Sequence, residues 1–175
     1  MKWEIERALA LGFSHAAEFD PAVLSCRQEV RQMCKDGCNQ YGKRWSCPPA
    51  CGDLDQCAQR LREYRVGLLV QTVGELDDEF DGEGMMRLQV RHNACLETLA
   101  AHLRLRHPEL LPVGTGCCMI CPQCTYPEKP CRHPKRCIVP MEAYGLLVAD
   151  VCKTAGLQYY YGPNTITYTA CILIK

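Results

Sequence analysis

The distribution of cysteine constrains this chain more than any other feature of its sequence. The 175 residues include fifteen cysteines, six between positions 26 and 57 and six between 117 and 137. Because fifteen is odd, a monomer with every cysteine in a disulfide is excluded by counting. Residues 1–10 lack the uninterrupted apolar run of a signal peptide, so we expect a cytosolic protein, in which thiols stay reduced. Both groups are rich in Gly and Pro, and such loops commonly become ordered around a metal.

The second group has the most specific spacing in the chain. Cys118, Cys121 and Cys124 recur at three-residue intervals, the run with which bacterial ferredoxins hold a [4Fe–4S] cluster. A zinc site normally divides its ligands into two separated pairs. The spacing therefore favours an iron–sulfur cluster, with Cys131 as the fourth ligand and Cys137 as the alternative.

The first group has a less diagnostic spacing. Three, eight and three residues separate Cys34, Cys38, Cys47 and Cys51, and the segment is rich in Gly, Pro and aromatic residues that bend the chain. We expect these four thiols to hold a second sulfur-ligated centre, which would be another [4Fe–4S] cluster. Its fourth ligand stays open, because Cys51 has Cys57 and Cys26 as alternatives.

Several other cysteines are explained by packing, since buried cysteine behaves as a small apolar residue. Cys26 and Cys57 fit the apolar faces of helices, so both core packing and ligation stay open for them. Cys117 directly precedes the second run, and we expect it to point away from that cluster. The cysteines outside the two groups lie on apolar faces and are not expected to be ligands: Cys95, Cys152 and Cys171.

The segments around the cysteine groups predict an α/β or α+β fold, a small mixed sheet with flanking helices. Residues 3–34 have the pattern of two short helices. The later segments predict, in order, a strand over 64–73, a helix over 84–107, a strand over 110–114, a helix over 141–155 and a hairpin of 159–161 with 165–174. We expect one iron–sulfur domain over 1–175, with a helical segment and the first cysteine loop in 1–60 and the α/β scaffold with the second loop in 61–175.

Composition and motifs exclude several functional classes. Twenty basic and twenty acidic residues leave no net charge, so there is no overall electrostatic attraction to nucleic acid. No run approaches the roughly 20 apolar residues of a membrane helix. Nucleotide-binding and serine-hydrolase motifs are absent. The basic run 132–136 lies beside the second cysteine loop, where it would raise the potential of a cluster or attract an acidic partner, unless it is only a solvated turn.

Two blocks of sequence together carry a family resemblance. The first is Cys34…Cys38…Tyr41-Gly42-Lys43…Trp45-Ser46-Cys47-Pro48-Pro49, and the second is Gly116…Cys118…Cys121…Cys124…Pro130-Cys131-Arg132…Pro134 followed by Met141-Glu142-Ala143-Tyr144-Gly145. They resemble the signatures of an uncharacterised prokaryotic family of predicted metal-binding, cysteine-rich proteins. The resemblance spans most of the chain from Cys34 onward and does not include Cys51, Cys117 or Cys137. It implies metal binding, as iron–sulfur clusters, in microbes that are often anaerobic.

Three functions follow from this reading. The leading one is electron transfer to or from a redox protein partner, since fully thiolate-ligated clusters do this. The second is an enzyme in which one cluster iron lacks a cysteine and binds a small-molecule substrate. The third is a zinc-stapled interaction module. Neither nucleic acid nor a membrane is expected as a partner.

Overall fold

A five-stranded mixed sheet forms the centre of the molecule in the computed structural model, which describes residues 1–175. The strands lie in the order β1-β2-β5-β3-β4, and every neighbouring pair is antiparallel except β3 with β4, which is parallel. The strands are β1 His15–Phe19, β2 Val66–Glu75, β3 Leu110–Gly114, β4 Val139–Pro140 and β5 Thr165–Ile174; the helices are α1 Lys2–Ala10, α2 Gln28–Gly37, α3 Leu54–Leu61, α4 Gly82–Arg104 and α5 Val148–Thr154. No helix is both long and apolar enough to cross a membrane.

Successive side chains of a strand point to opposite faces of the sheet. Both faces are apolar here, and each packs against its own layer of helices. On β5, Cys171 and Leu173 pack against α3, α5 and the 3₁₀ turn Glu142–Tyr144, whereas Ala170 and Ile172 pack against α1 and α4. Full burial of one Leu or Ile side chain contributes about 1.5–3 kcal/mol. Two apolar layers therefore hold the scaffold that carries the cysteine loops.

The mixed α/β class is confirmed, and so are the strands at 66–75 and 110–114 and the long helix α4. The prediction of two helices over residues 3–34 is wrong in part, because β1 lies between α1 and α2. The sequence of β1, HAAEF, has no strong strand preference, and the segment is extended because it pairs with β2 from His15↔Gln71 to Phe19↔Gly67. Cys26 accordingly lies in the connection before α2, and not on a helix.

The predicted helix over 141–155 is also wrong in its first half. A 3₁₀ turn ends at Gly145, whose φ of +74° breaks the helix, and α5 begins only at Val148. The backbone of Arg27 approaches so closely that a Cβ at Gly145 would lie 3.0 Å from its nitrogen and oxygen. Glycine is required at this position both for its conformation and for this contact.

The predicted C-terminal hairpin does not form. Residues 159–161 are not a strand, and β5 instead pairs with β2 along its whole length and with β3 at its end. Tyr161 is held by other contacts: its hydroxyl donates to Oε1 of Gln71 at 2.8 Å, and its ring stacks on His15 at 4.7 Å.

Candidate metal centre

The parallel pair of β3 and β4 brings two functional segments to one edge of the sheet. Gly114 pairs with Pro140, and the N–H of Met141 donates to the carbonyl oxygen of Gly114 at 3.0 Å. Cys117 therefore follows the end of β3 at the same edge where Glu142 follows the end of β4. The connection between the two strands, residues 115–138, carries all six cysteines of the second group.

Four cysteines line one cavity of about 900 Å³, and we call them the first thiol set: Cys34, Cys38, Cys47 and Cys117. Cys34 lies in the last turn of α2 and Cys38 just beyond it, four residues apart and thus on the same side of the helix end. The thiol of Cys34 lies 3.8 Å from the carbonyl oxygen of Glu142. Burial raises the pKa of Cys47 to about 11 and also raises the pKa of Cys117. The structure thus brings together three ligands predicted from sequence and a fourth thiol that was not predicted for this site.

Cys51 does not line this cavity. Its thiol donates to the carbonyl oxygen of Ala143 at 3.8 Å, and the thiol of Cys57 donates to the carbonyl oxygen of Cys51 at 3.9 Å. The neighbouring Cys57 thiol, aided by burial, raises the pKa of Cys51, and the pKa of Cys57 is lowered to about 7 by the Cys51 thiol. Nη2 of Arg31 donates to the sulfur of Cys57 at 3.3 Å, and Cys26 lies beside the same thiol. The three cysteines considered for the fourth position of the first centre therefore lie together where Arg31 of α2 meets α3, and none of them lines the first cavity.

Five cysteines line a smaller cavity, and we call them the second thiol set: Cys118, Cys121, Cys124, Cys131 and Cys137. A hydrogen bond from Cys137 lowers the pKa of Cys118 to about 6, and the same bond raises the pKa of Cys137. The N–H of His133 donates to the sulfur of Cys131 at 3.4 Å. The cavity has a volume of about 20 Å³, enough for one water molecule. All four predicted ligands and the alternative, Cys137, are thus brought together.

One buried serine connects the two thiol sets. The hydroxyl oxygen of Ser46 accepts a hydrogen bond from the N–H of Cys118 at 3.0 Å and lies 3.7 Å from the sulfur of Cys47. Cys47 and Cys117 line the first cavity, whereas their chain neighbours Ser46 and Cys118 line the second. Two short pieces of backbone, 46–47 and 117–118, therefore form a wall that the two cavities share.

Further contacts fix the two cysteine loops to each other. Nη1 of Arg44 donates to the carbonyl oxygen of Cys118 at 2.8 Å. The indole N–H of Trp45 donates to the carbonyl oxygen of Lys129 at 3.1 Å. The Trp45 ring also packs edge-on against Tyr126, with the centroids 5.0 Å apart. These bonds join sequence-distant loops, so local sequence reasoning had no signal for them. One sequence feature could have indicated that Cys117 belongs to the first set. It directly precedes Cys118, and consecutive side chains of an extended segment point to opposite sides, so the two thiols line different cavities.

The donor chemistry of both sets suits a soft metal centre. Thiolates are the ligands of iron–sulfur clusters and of many zinc sites. No three His, Cys, Asp or Glu side chains stand close enough together to hold a single metal ion. A [4Fe–4S] cluster takes one thiolate at each iron, so its ligands stand farther apart than those around one ion. The first cavity has ample room for a cluster, whereas the second would have to widen.

The three cysteines that we expected to be core residues lie away from both cavities. Cys152 and Cys171 are fully buried in the layer beneath the sheet. Cys95 packs beside α1 on the opposite face, and its thiol donates to the carbonyl oxygen of Leu11 at 3.2 Å. None of them lines the wall of either thiol set.

Comparison with known proteins agrees with the resemblance noted in the sequence. A family model described as a predicted metal-binding protein matches residues 17–174, a range that includes both thiol sets. No curated protein and no solved structure matches the chain. Because the model matches nearly the whole chain, this protein belongs to the family of predicted metal-binding proteins DUF2284.

Proposed function

We propose that this protein holds two [4Fe–4S] clusters and transfers electrons to or from a redox partner. The observation that carries the proposal is the wall shared by the two thiol sets, because Ser46–Cys47 and Cys117–Cys118 each contribute to both cavities. The first set, with Cys117 in its fourth position, would hold one cluster. Cys118, Cys121 and Cys124 would hold the other, with Cys131 or Cys137 as the fourth ligand.

A fully thiolate-ligated cluster supplies one-electron transfer. Electron transfer requires that the ligands rearrange little. The residues of this chain would meet that requirement by holding the two sites rigidly and close together. Ser46 restrains Cys118 through its N–H, and Arg44 restrains it through its carbonyl oxygen. The buried position of Ser46, which has no exposed surface, also keeps water out of the wall between the sites.

The exposed surface beside the second thiol set is basic, which favours an acidic protein as the redox partner. Lys129, Arg132 and Lys135 are exposed there. Arg136 is paired with Glu97 of α4, so it contributes less free positive charge. A basic surface steers an acidic protein toward encounter and does so less at high salt. The rate of electron transfer to such a partner should therefore fall as ionic strength rises.

Matched cysteine variants test the proposal. In anaerobically purified protein, Cys47→Ser and Cys121→Ser should each lose about half of the iron, because each removes one ligand of one four-iron cluster. Cys95→Ser is the control, since that thiol lies outside both cavities, and it should keep its full iron content. Unchanged iron in either loop variant would contradict the proposal.

One observation favours a second candidate for the second set alone. Its cavity of about 20 Å³ is closer in size to a single ion than to a cluster, and thiolates are zinc ligands, although those of this set would have to move closer together to share one ion. In that case Cys47→Ser would lose all of its iron and keep one zinc per chain. Retention of about four irons and no zinc would exclude the zinc candidate.

A further inference from the structure

The cavity at the first thiol set is larger than a metal centre needs. Its volume is about 900 Å³, and sites for small molecules commonly measure about 300–1,000 Å³. Besides the four cysteines, nine of its twenty lining residues are hydrophobic, so an organic molecule would gain more from entering it than a hydrated ion would. The thiols occupy part of the lining, and Leu146, Val148 and Ala149 contribute apolar wall beside them.

The lining of this apolar space includes a single acidic residue. Glu142 is the one Asp or Glu among the lining residues, and none of the others is Lys, Arg or His. Glu142 takes part in no ion pair of the structure. A carboxylate in an apolar cavity is stabilised by a cation or an N–H donor, and it repels a phosphate or a carboxylate.

The mouth of the cavity is apolar as well. Met33 and Tyr159 line the cavity and are 70% and 55% exposed, and Leu147 beside them is 38% exposed. Large apolar side chains that cluster on a surface commonly mark a binding site. An apolar ligand would therefore meet matching surface both at the entrance and inside.

We infer that the first cavity is a binding site for an apolar organic amine. The hydrocarbon body of the ligand would lie against Leu146 and Val148, and its ammonium or N–H group would donate to Glu142. The inference goes beyond the proposed function and rests on it only for the nature of the metal behind the thiols.

Equilibrium dialysis of the anaerobically purified, full-length protein tests the inference. The probes are 2-naphthylmethylamine and 2-naphthoate, which share an aromatic body and differ in the sign of their charge. We expect the amine to saturate one site per chain and to bind at least about tenfold more tightly than the carboxylate. Absence of saturable binding, or equal affinity for the two probes, would overturn the inference.

Two variants and a control complete the experiment. Glu142→Gln keeps the shape of the side chain and should remove the preference for the amine, whereas Glu83→Gln, on the exposed start of α4, should keep it. Ala149→Phe should weaken the binding of both probes by filling the cavity. If Glu142→Gln does not fold, this variant is the test, and unchanged binding of both probes would overturn the inference. Amine preference retained in Glu142→Gln would overturn the inference. Iron content is measured on the same samples, so that a protein without iron that still binds the amine refutes only the proposed function.

Discussion

Replacement of Ser46 by alanine should loosen both thiol sets at once. The Ser46 hydroxyl is fully buried and is the acceptor for the N–H of Cys118 at 3.0 Å. Without it the amide has no partner, and an unsatisfied buried donor costs about 1–3 kcal/mol. That free energy corresponds to an increase of about 5- to 150-fold in the opening of the wall between the sites.

The assay is the rate at which a strong iron chelator removes iron from the anaerobic protein. If opening of the wall limits access, Ser46→Ala should release iron from both sites at least about fivefold faster. Ser14→Ala is the matched control, because Ser14 also accepts a backbone hydrogen bond, from Val73 at 2.9 Å, but is exposed, so that water can replace its hydroxyl. Equal release rates for the two variants would refute the role of Ser46.

The remaining predictions concern the ligands and one buried histidine. Cys117→Ala should lose about half of the iron while Cys51→Ala keeps it, because only Cys117 lines the first cavity; the reverse result would restore Cys51 as a ligand. Cys152→Ala should keep its iron yet lower the free energy of unfolding by about 1 kcal/mol, since it removes one buried group from the core; loss of iron without loss of folding would contradict this. Burial lowers the pKa of His92 from 6.5 to about 4, so the unfolded chain takes up a proton that the folded chain does not, and stability should fall by about 2 kcal/mol from pH 7 to pH 5. In His92→Gln, urea unfolding at the two pH values should show a correspondingly smaller loss, and an equal loss would contradict the assignment.

The parts of the fold that depend on local sequence could be predicted. The apolar run of β2 and the three-to-four-residue spacing of apolar residues along α4 are visible in the sequence, because each segment's own pattern determines which face is buried. Strand β1 was missed because only its pairing with β2 makes it extended. Gly145 likewise depends on the backbone of Arg27, which is distant in sequence and approaches it only in the folded chain.

The same distinction applies to the metal site. The three-residue spacing from Cys118 to Cys124 identified the second set, and the structure brings those thiols together. The membership of Cys117 in the first set depends on how the end of β3 meets the loop after α2, which spacing along the chain does not encode. Cys51 follows Cys47 closely, yet it does not line the first cavity, and its thiol lies 3.8 Å from the carbonyl oxygen of Ala143. The ligation of Cys51 stays a prediction, since spacing along the chain does not determine which cavity a thiol lines.

The most direct test of the central claim is metal and acid-labile sulfide analysis of the anaerobically purified wild-type chain, together with its absorption spectrum. Two [4Fe–4S] clusters require about eight irons and eight sulfides per chain. The protein should be brown, should absorb broadly near about 400 nm, should lose that absorption on reduction with dithionite and should contain no zinc. A colourless protein that holds stoichiometric zinc and no labile sulfide would contradict the account.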